Sequence, residues 1–502
     1  MTITAPRLGS LRDKALRGTA RGGLLNLLGA AVAGAGGLVV TWLVAYWLGP
    51  TMAGQFFAAT SAFLVAVAIA RLGTPTGLIY WVARVRNDPG NVRAVLRAAL
   101  VPTAIACVLI STVAYAAAPR LALWHDDGGP QFITMLRALA VFLPAAVAME
   151  ALLAATRGFQ RMRATVVIEK LGRTLAQLLL LWIAVSWLSR LEFGGVTVAI
   201  AWALPYFPAA IAAGLWLRRL ARERGDTGPV DPPVTSRRFW AYTAPRAVAG
   251  AAHLILQRMD ILLVAGMLGF AEAALYTVAT RFVTVAQLIS GAIGTAVQPR
   301  LATSMSTEDY STATALYQVT TGWIVAASWP VLLSVGWLAP QYLGVFGTEY
   351  VSAEGITVVW LLVVGMLIAT VSGVVDSVLV MAGRTGWQLY NVSAALVVNL
   401  GLNLWLIPSL GIIGAAIAWT ASLAVNNLVP VVQLAVGFKL HPLGRGAGVA
   451  VALSAGWFIV LPGLAIPVLG WTAAPIVIVS AACGMALSAW RLRKKLIRPA
   501  HP

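Results

Sequence analysis

Cysteine is nearly missing from this 502-residue chain: there are two, Cys107 and Cys483, far apart and each inside an apolar run, which argues against a disulfide framework and a Cys-type metal site. The four histidines, His125, His253, His441 and His501, are equally scattered, so no zinc centre and no other cofactor is implied. Charge is scarce as well, at 11% of residues against 60% hydrophobic, too little polar surface to clothe a water-soluble domain of this size. Acidic residues are the rarer sign, 17 against 36 Lys and Arg.

What fills the chain instead is a ladder of roughly fourteen apolar stretches of about 20 to 25 residues, running from Leu24 to Trp490 with short polar breaks. Backbone groups in hydrocarbon must be satisfied within each segment, and runs this long are not barrel strands, so the expected fold is all-α and polytopic. The first run follows a basic stretch and lacks a small-residue cleavage site, so it reads as a retained helix.

Basic residues set the expected orientation, because those in short loops stay on the cytoplasmic side. One alternating set of connections holds Arg7, Arg12, Lys14, Arg17, Arg21, then Arg84, Arg86, Arg93, Arg97, then Arg157, Arg161, Arg163, then Arg218, Arg219, Arg222, Arg224, Arg237, Arg238, followed by Arg300, Arg384, Lys439, Arg445 and the tail Arg491, Arg493, Lys494, Lys495, Arg498. The opposite set holds only Arg120 and Arg190, beside Asp126, Asp127, Glu192, Glu272, Glu349 and Glu354. Both termini are therefore expected in the cytoplasm. The net charge of +19 reads as a topology signal and an attraction to anionic lipid. It does not read as nucleic-acid binding, since the cations are dispersed and no reading domain accompanies them. The richness in Ala, Val, Gly, Arg and Trp suggests a GC-rich bacterial source.

The longest polar connection, about Arg218 to Arg238 with Pro229, Pro232 and Pro233, divides the chain nearly in half. Across it, Trp47-Leu-Gly followed by Phe56-Phe-Ala-Ala-Thr recurs at the same spacing as Met267-Leu-Gly followed by Tyr276-Thr-Val-Ala-Thr. Arg163 and Arg384 mark corresponding turns before the fifth and eleventh helices, extending a weak repeat over six spans per half. The expected organisation is a basic N-terminus (1–23), an N-lobe of six spans (24–220), a linker (221–240), a C-lobe of six spans (241–437), two further spans (446–490) and a basic tail (491–502). Parallel repeats of this kind are expected of transporters that rock two bundles about a central site.

Ionisable groups left inside spans mark pathways or partners, since each costs at least a few kcal/mol in hydrocarbon. On the seventh helix Arg246, His253, Gln257 and Asp260 are separated by 7, 4 and 3 residues and fall on one narrow stripe. On the eighth, Thr277, Arg281, Thr284, Thr295 and Gln298 form a second, and two such stripes facing each other would line a wet cleft. Arg71, Arg137, Glu150 and Asp376 are further isolated charges. The structural alternatives are a local Glu169–Arg173 ion pair, a pairing role for Arg258, and interhelical hydrogen bonding by Asn391, Asn399 and Asn403. His253 is either a proton carrier or simply a hydrogen-bonding residue. Arg71, Arg246 and Arg281 are the leading substrate contacts, with His253, Gln257 and Asp260 beside them, because a planar guanidinium gives phosphate two hydrogen bonds and stays charged when desolvated.

Several motifs carry a resemblance. Trp47-Leu-Gly-Pro with Gly54-Gln-Phe-Phe, Arg71-Leu-Gly-Thr-Pro-Thr-Gly and Thr156-Arg-Gly-Phe-Gln-Arg-Met occur in the first half. Gln257-Arg-Met-Asp-Ile-Leu-Leu-Val, Leu275-Tyr-Thr-Val-Ala-Thr-Arg, Met381-Ala-Gly-Arg and Val398-Asn-Leu-Gly-Leu-Asn-Leu-Trp-Leu-Ile-Pro-Ser-Leu-Gly follow in the second. In their order and spacing they resemble Wzx-type flippases of the polysaccharide transporter family, within the multidrug/oligosaccharidyl-lipid/polysaccharide superfamily. The resemblance implies a fourteen-helix transporter in the bacterial plasma membrane. It would carry a polyprenyl-phosphate- or diphosphate-linked oligosaccharide from the cytoplasmic to the outer leaflet, alongside membrane lipids and glycan polymerase or glycosyltransferase partners, with no catalytic residues.

A lipid II flippase is the nearest alternative, although the first helix lacks any ionisable residue between Leu24 and Gly49 where such flippases carry cations. A multidrug exporter of twelve spans, a non-transporting scaffold of a glycan-assembly complex and a membrane enzyme acting on lipid-linked sugars follow. The last would need positioned carboxylates or a histidine on a sizeable outer loop, and the loops near Pro119 to Gln131 and Ala339 to Glu354 are short.

Overall fold

The first two apolar runs are one helix, α1 (Leu8–Ala70), bent at Gly49, whose φ of 71° and ψ of 170° no helical residue adopts. Glycine takes that left-handed φ without steric cost, and Pro50 restarts the helix where its missing N–H is not needed. The computed structural model describes residues 8–86, 88–122, 129–188, 194–222 and 234–497. The expected linker prolines, the outer charges Asp126, Asp127, Arg190 and Glu192, and His125, Arg7, Arg224, Arg498 and His501 lie outside the described residues.

After α1 come α2 (Thr74–Val85), α3 (Pro89–Ala122), α4 (Pro130–Gly158), α5 (Thr174–Ile183) between π-helical turns Thr165–Arg173 and Ala184–Leu188, α6 (Gly194–Ala203), α7 (Tyr206–Arg222) and α8 (Ser236–Met267). Then follow α9 (Phe270–Ala279), α10 (Phe282–Ser306), α11 (Tyr310–Trp337), α12 (Ala339–Gly344), α13 (Ala353–Val371), α14 (Val375–Met381), α15 (Thr385–Phe438), α16 (Arg445–Ala455), α17 (Leu461–Leu469) and α18 (Ala474–Ile497). α15 is bent at Gly411 (φ 59°) as α1 is at Gly49. Among the described residues, joining helices that resume after a break and separating those two bends gives 14 apolar passes, as expected from sequence. No strand occurs among the described residues. Among the described residues eleven continuous helical stretches are long and apolar enough to cross a bilayer.

The repeat is visible in backbone geometry. Gly269, the counterpart of Gly49, has φ 111° and ψ 173°. The fourth and tenth passes also end alike. Gln160 (φ 61°) and Gly383 (φ 74°) are left-handed, and the next residues, Arg161 and Arg384, donate back to Thr156 and Leu379 carbonyls, each at 3.2 Å. This six-to-one closure satisfies otherwise orphaned helix-end carbonyls. It aligns Arg384 with Arg161 where the sequence spacing had suggested Arg163.

The chain separates into two compact units. The first runs to Leu43 and takes in Phe63–Leu123 and Gly129–Ala251; the second takes Val44–Ala62 and the chain from Ala252 onward. In the first, Leu78, Val82, Val95, Ala154, Phe159 and Phe239 pack α2, α3, α4 and α8 together. In the second, Leu301, Tyr317, Val378, Leu379 and Leu434 join α10, α11, α14 and α15. The motif that begins at Arg71 is a packing device: Gly73 and Gly77, one helical turn apart, let α2 lie against α8. An added Cβ would come within 2.8 Å of Ala247 Cα at Gly73, and 2.3 Å from Thr243 Oγ1 at Gly77.

The asparagines do link helices. Asn391 and Gln433, on the two arms of α15, exchange amide hydrogen bonds of 2.8 and 2.9 Å. Replacing Asn391 by leucine strands the Gln433 amide and is expected to cost about 1–2 kcal/mol. A melting curve in detergent should fall by a few degrees and recover in part when Gln433 is also made leucine; unchanged melting of the single variant would refute the pairing's role. The expected Glu169–Arg173 pair gives way to another arrangement: Arg173 donates to Gln177 at 2.9 Å and lies over Tyr206. Glu169 and Arg173 both sit in the π-helical turn Thr165–Arg173, and the Arg173 guanidinium is taken up by Gln177 and the Tyr206 ring instead.

Candidate functional site

Two passes are broken by an arginine. In the second, the helix stops at a turn of Arg71, Leu72 and Gly73, the latter two left-handed at φ 48° and 69°. Arg71 Nη1 meets Glu150 Oε2 of α4 at 3.2 Å, with about a quarter of each side chain exposed. Two charges that were isolated in sequence are thereby paired. Gly250 lies beside this guanidinium, a Cβ added there falling in ordinary contact at 3.7 Å from Arg71 Nη2.

In the eighth pass the break falls between α9 and α10 at Thr280 and Arg281. Arg281 N–H bonds Val278 O rather than Thr277 O. The released Thr277 carbonyl accepts from the Thr280 hydroxyl at 2.8 Å and from Arg281 Nε at 3.0 Å. The Tyr342 hydroxyl of α12 completes the break, accepting from Phe282 N–H (3.2 Å) and donating to Val278 O (2.7 Å), the two groups a continuous helix would join directly. An inserted side chain is a recognised cause of such helix breaks. Arg281 is thus anchored by Nε while its two Nη groups have no hydrogen-bond partner among the described residues.

Arg281 lines a polar cavity of about 110 Å³ within the second unit. Gln257, Arg258 and Asp260 of α8 face Tyr276, Thr280, Arg281, Thr284 and Gln287 across it. The two polar stripes expected from sequence therefore meet here, though only over part of their length. Asp260 is 3% exposed and bonded by Asn403 Nδ2 at 2.7 Å, with the Tyr276 hydroxyl at 3.5 Å. It makes no ion pair with Arg281. At about 30 Å³ per water this volume matches three or four waters or one phosphoryl group.

The rest of the α8 stripe lies elsewhere. His253 is exposed, its Nε2 3.1 Å from Gln257 Nε2. Thr295 is exposed, and Gln298 bonds Ser377 at 3.2 Å. Arg246 belongs to the first unit, where it bonds Tyr242 O (2.8 Å) and caps the Tyr242 ring at 3.8 Å. Tyr242 stacks on Tyr80 at 3.9 Å and 14°, and Arg84 covers the far face of the pair at 4.6 Å from Tyr80. Sequence reasoning overlooked this four-layer stack. Its signal was present: each arginine follows its tyrosine by four residues, one helical turn. Tyr342 and Trp419, which also borders the cavity, gave no such local signal. Among the described residues no three His, Cys, Asp or Glu side chains are grouped to hold a metal ion.

Comparison with known proteins adds the following. The profile of the polysaccharide biosynthesis protein family matches residues 20–305, and the MatE profile matches residues 245–405. No curated protein sequence matches significantly. Among solved structures, the lipid II flippase MurJ in an inward closed conformation superposes with a TM-score of 0.73 at 11% identity, covering 95% of this chain and 100% of its own. An inward-facing multidrug resistance MATE family transporter of the MOP superfamily gives 0.64 at 15% identity, covering 80% and 94%. A MOP superfamily transporter from Pyrococcus furiosus gives 0.58 at 15%, covering 83% and 95%. At these identities the superpositions establish the fold.

Proposed function

We propose that this chain, which belongs to the polysaccharide biosynthesis protein family within the multidrug/oligosaccharidyl-lipid/polysaccharide superfamily of membrane transporters, flips a polyprenyl-(di)phosphate-linked oligosaccharide across the bacterial plasma membrane. The direction is from the cytoplasmic to the outer leaflet, with both termini cytoplasmic, in the service of surface-glycan assembly. The observation that carries the reading is Arg281, a cation inside an apolar pass, fixed by Nε and lining a polar cavity of about 110 Å³. An anionic head must cross hydrocarbon while its tail remains in lipid, so the protein has to supply cationic and hydroxyl groups along the way. Arg281, Thr280, Thr284 and Gln257 offer that set, and Arg258 adds a second cation. Arg246 over its tyrosine stack is a further contact for phosphate or sugar, and Arg71, His253 and Asp260 complete the proposed set. Alternating access moves the head without exposing it to acyl chains. The proposed role involves no bond-making step.

The test is transbilayer movement in proteoliposomes of the purified protein, offering polyprenyl-diphosphate oligosaccharide, lipid II and a phosphatidylcholine reporter side by side. Accelerated movement of the oligosaccharide carrier alone is expected. Movement of lipid II in preference would replace the substrate assignment with the peptidoglycan precursor, and movement of none by folded protein would favour a scaffold.

A further inference from the structure

A second cavity, of about 630 Å³, lies in the first unit between α3, α4 and α7, and none of the residues assigned above lines it. Its two ends differ in chemistry. Arg86, Arg93, Arg218 and Arg222 crowd the end where α3 begins and α7 finishes, whereas Leu96, Leu100, Leu152, Ile211 and Leu215 line the remainder. Helical periodicity explains the segregation. Arg93, Leu96 and Leu100 share one face of α3, and Ile211, Leu215, Arg218 and Arg222 share one face of the antiparallel α7. The trough extends about 10 Å along α3 from Arg93 to Leu100 and about 16 Å along α7 from Arg222 to Ile211.

Arginines at a helix C-terminus commonly serve the helix dipole and the membrane orientation, and Arg218 and Arg222 do both. Two observations go beyond that role. None of the four guanidiniums makes a hydrogen bond or ion pair with an acidic group among the described residues; the nearby Asp88 is occupied by the Asn91 backbone N–H (3.0 Å) and amide (2.9 Å). Ile211 and Leu215 are 64% and 55% exposed, so the apolar trough opens toward the hydrocarbon. Four cations without an acidic partner among the described residues, above a greasy channel, match an amphiphile with an anionic head and an acyl tail.

We propose that this cavity is a binding site for an anionic glycerophospholipid of the surrounding leaflet, its phosphate held by Arg93, Arg218 and their two neighbours and one acyl chain lying along Leu96, Leu100 and Leu215. In the orientation proposed above, this end faces the cytoplasmic leaflet, and basic pockets between helices on that side are a known way to hold anionic headgroups. The bound lipid would tie α3 to α7. The site stands whether or not the transported substrate is the one proposed.

The experiment is native mass spectrometry of the full-length protein, delipidated in detergent and offered phosphatidylglycerol, cardiolipin or phosphatidylcholine. Anionic lipid adducts are expected to exceed phosphatidylcholine adducts roughly tenfold. The double variant Arg93→Gln/Arg218→Gln should reduce that preference to near parity. Gly214→Phe should remove adducts of every headgroup, because the Gly214 Cβ position meets only Leu152 Cδ1, at 3.7 Å, and a ring there enters the trough. Gly214→Ala, which fits, serves as the folding control. Adducts unchanged in both variants, or no headgroup preference in wild type, would overturn the proposal. Polyprenyl diphosphate displacing phosphatidylglycerol from this cavity would also overturn it, making the trough a loading groove for substrate, and displacement by free pyrophosphate would reduce it to a bare anion site.

Discussion

Exchanging Arg281 for glutamine is expected to slow transbilayer movement of a polyprenyl-diphosphate oligosaccharide by about 1.5 to 3.5 orders of magnitude, corresponding to the roughly 2–5 kcal/mol of a desolvated charged hydrogen-bond pair. Glutamine keeps polarity and most of the volume but removes the charge and the fork. The backbone break should survive, because it is held by the Tyr342 hydroxyl between Phe282 N–H and Val278 O and by the Thr280 hydroxyl on Thr277 O. The variant should therefore fold and melt like wild type. Arg281→Lys should recover only part of the rate: an ammonium restores charge but cannot hold Thr277 O and present two parallel donors at once. Initial rates in proteoliposomes, normalised to folded protein, decide the matter. Glutamine and wild type flipping equally fast would remove the cavity from the transport path.

The architecture was legible because hydrocarbon permits so few solutions: apolar runs of spanning length must be helices, and their number follows from counting them. The repeat was legible from Trp47-Leu-Gly and Met267-Leu-Gly, and its physical content is the pair of positive-φ glycines, Gly49 and Gly269, each opening a new pass. The site was legible only as far as local spacing reaches. Gln257 and Asp260 share a face of α8 and do border the cavity with Arg281, as helical periodicity requires. The Glu150 partner of Arg71 is 79 residues distant, and Tyr342 lies 60 residues from the Phe282 N–H it accepts from. Such partners are set by tertiary packing, and no periodicity within one helix reports them. The stripe also misled at its ends: Arg246 packs on Tyr242 in the first unit while Asp260 is bonded by Asn403 in the second, so four residues on one helical face serve two environments.

Gly54→Ala is expected to be among the most destabilising single-methyl additions in the chain. Gly54 lies on the arm of α1 that starts after Gly49, and it packs directly on the start of α9, which follows Gly269. A Cβ at Gly54 would sit 1.7 Å from Phe270 O and 2.4 Å from Phe270 C. Those are backbone atoms, so no rotamer change relieves the overlap; α1 and α9 must separate by more than 1 Å. Overpacking of this kind costs about 1–3 kcal/mol when side chains can yield, and more when they cannot. The contact also explains why the glycine stands in the Gly54-Gln-Phe-Phe motif, since it lets the openings of two repeat-related passes meet backbone to backbone. Gly37→Ala in the other arm of α1 provides the contrast. Nothing lies within 4 Å of its Cβ position, and replacing a helical glycine by alanine is favourable by up to about 1 kcal/mol. Fluorescence-detected size exclusion and thermal melting should therefore rank Gly37→Ala at or above wild type and Gly54→Ala far below it, with Gly54→Leu failing to accumulate as a monodisperse peak. Equal melting of the two alanine variants would mean that α1 and α9 do not approach this closely.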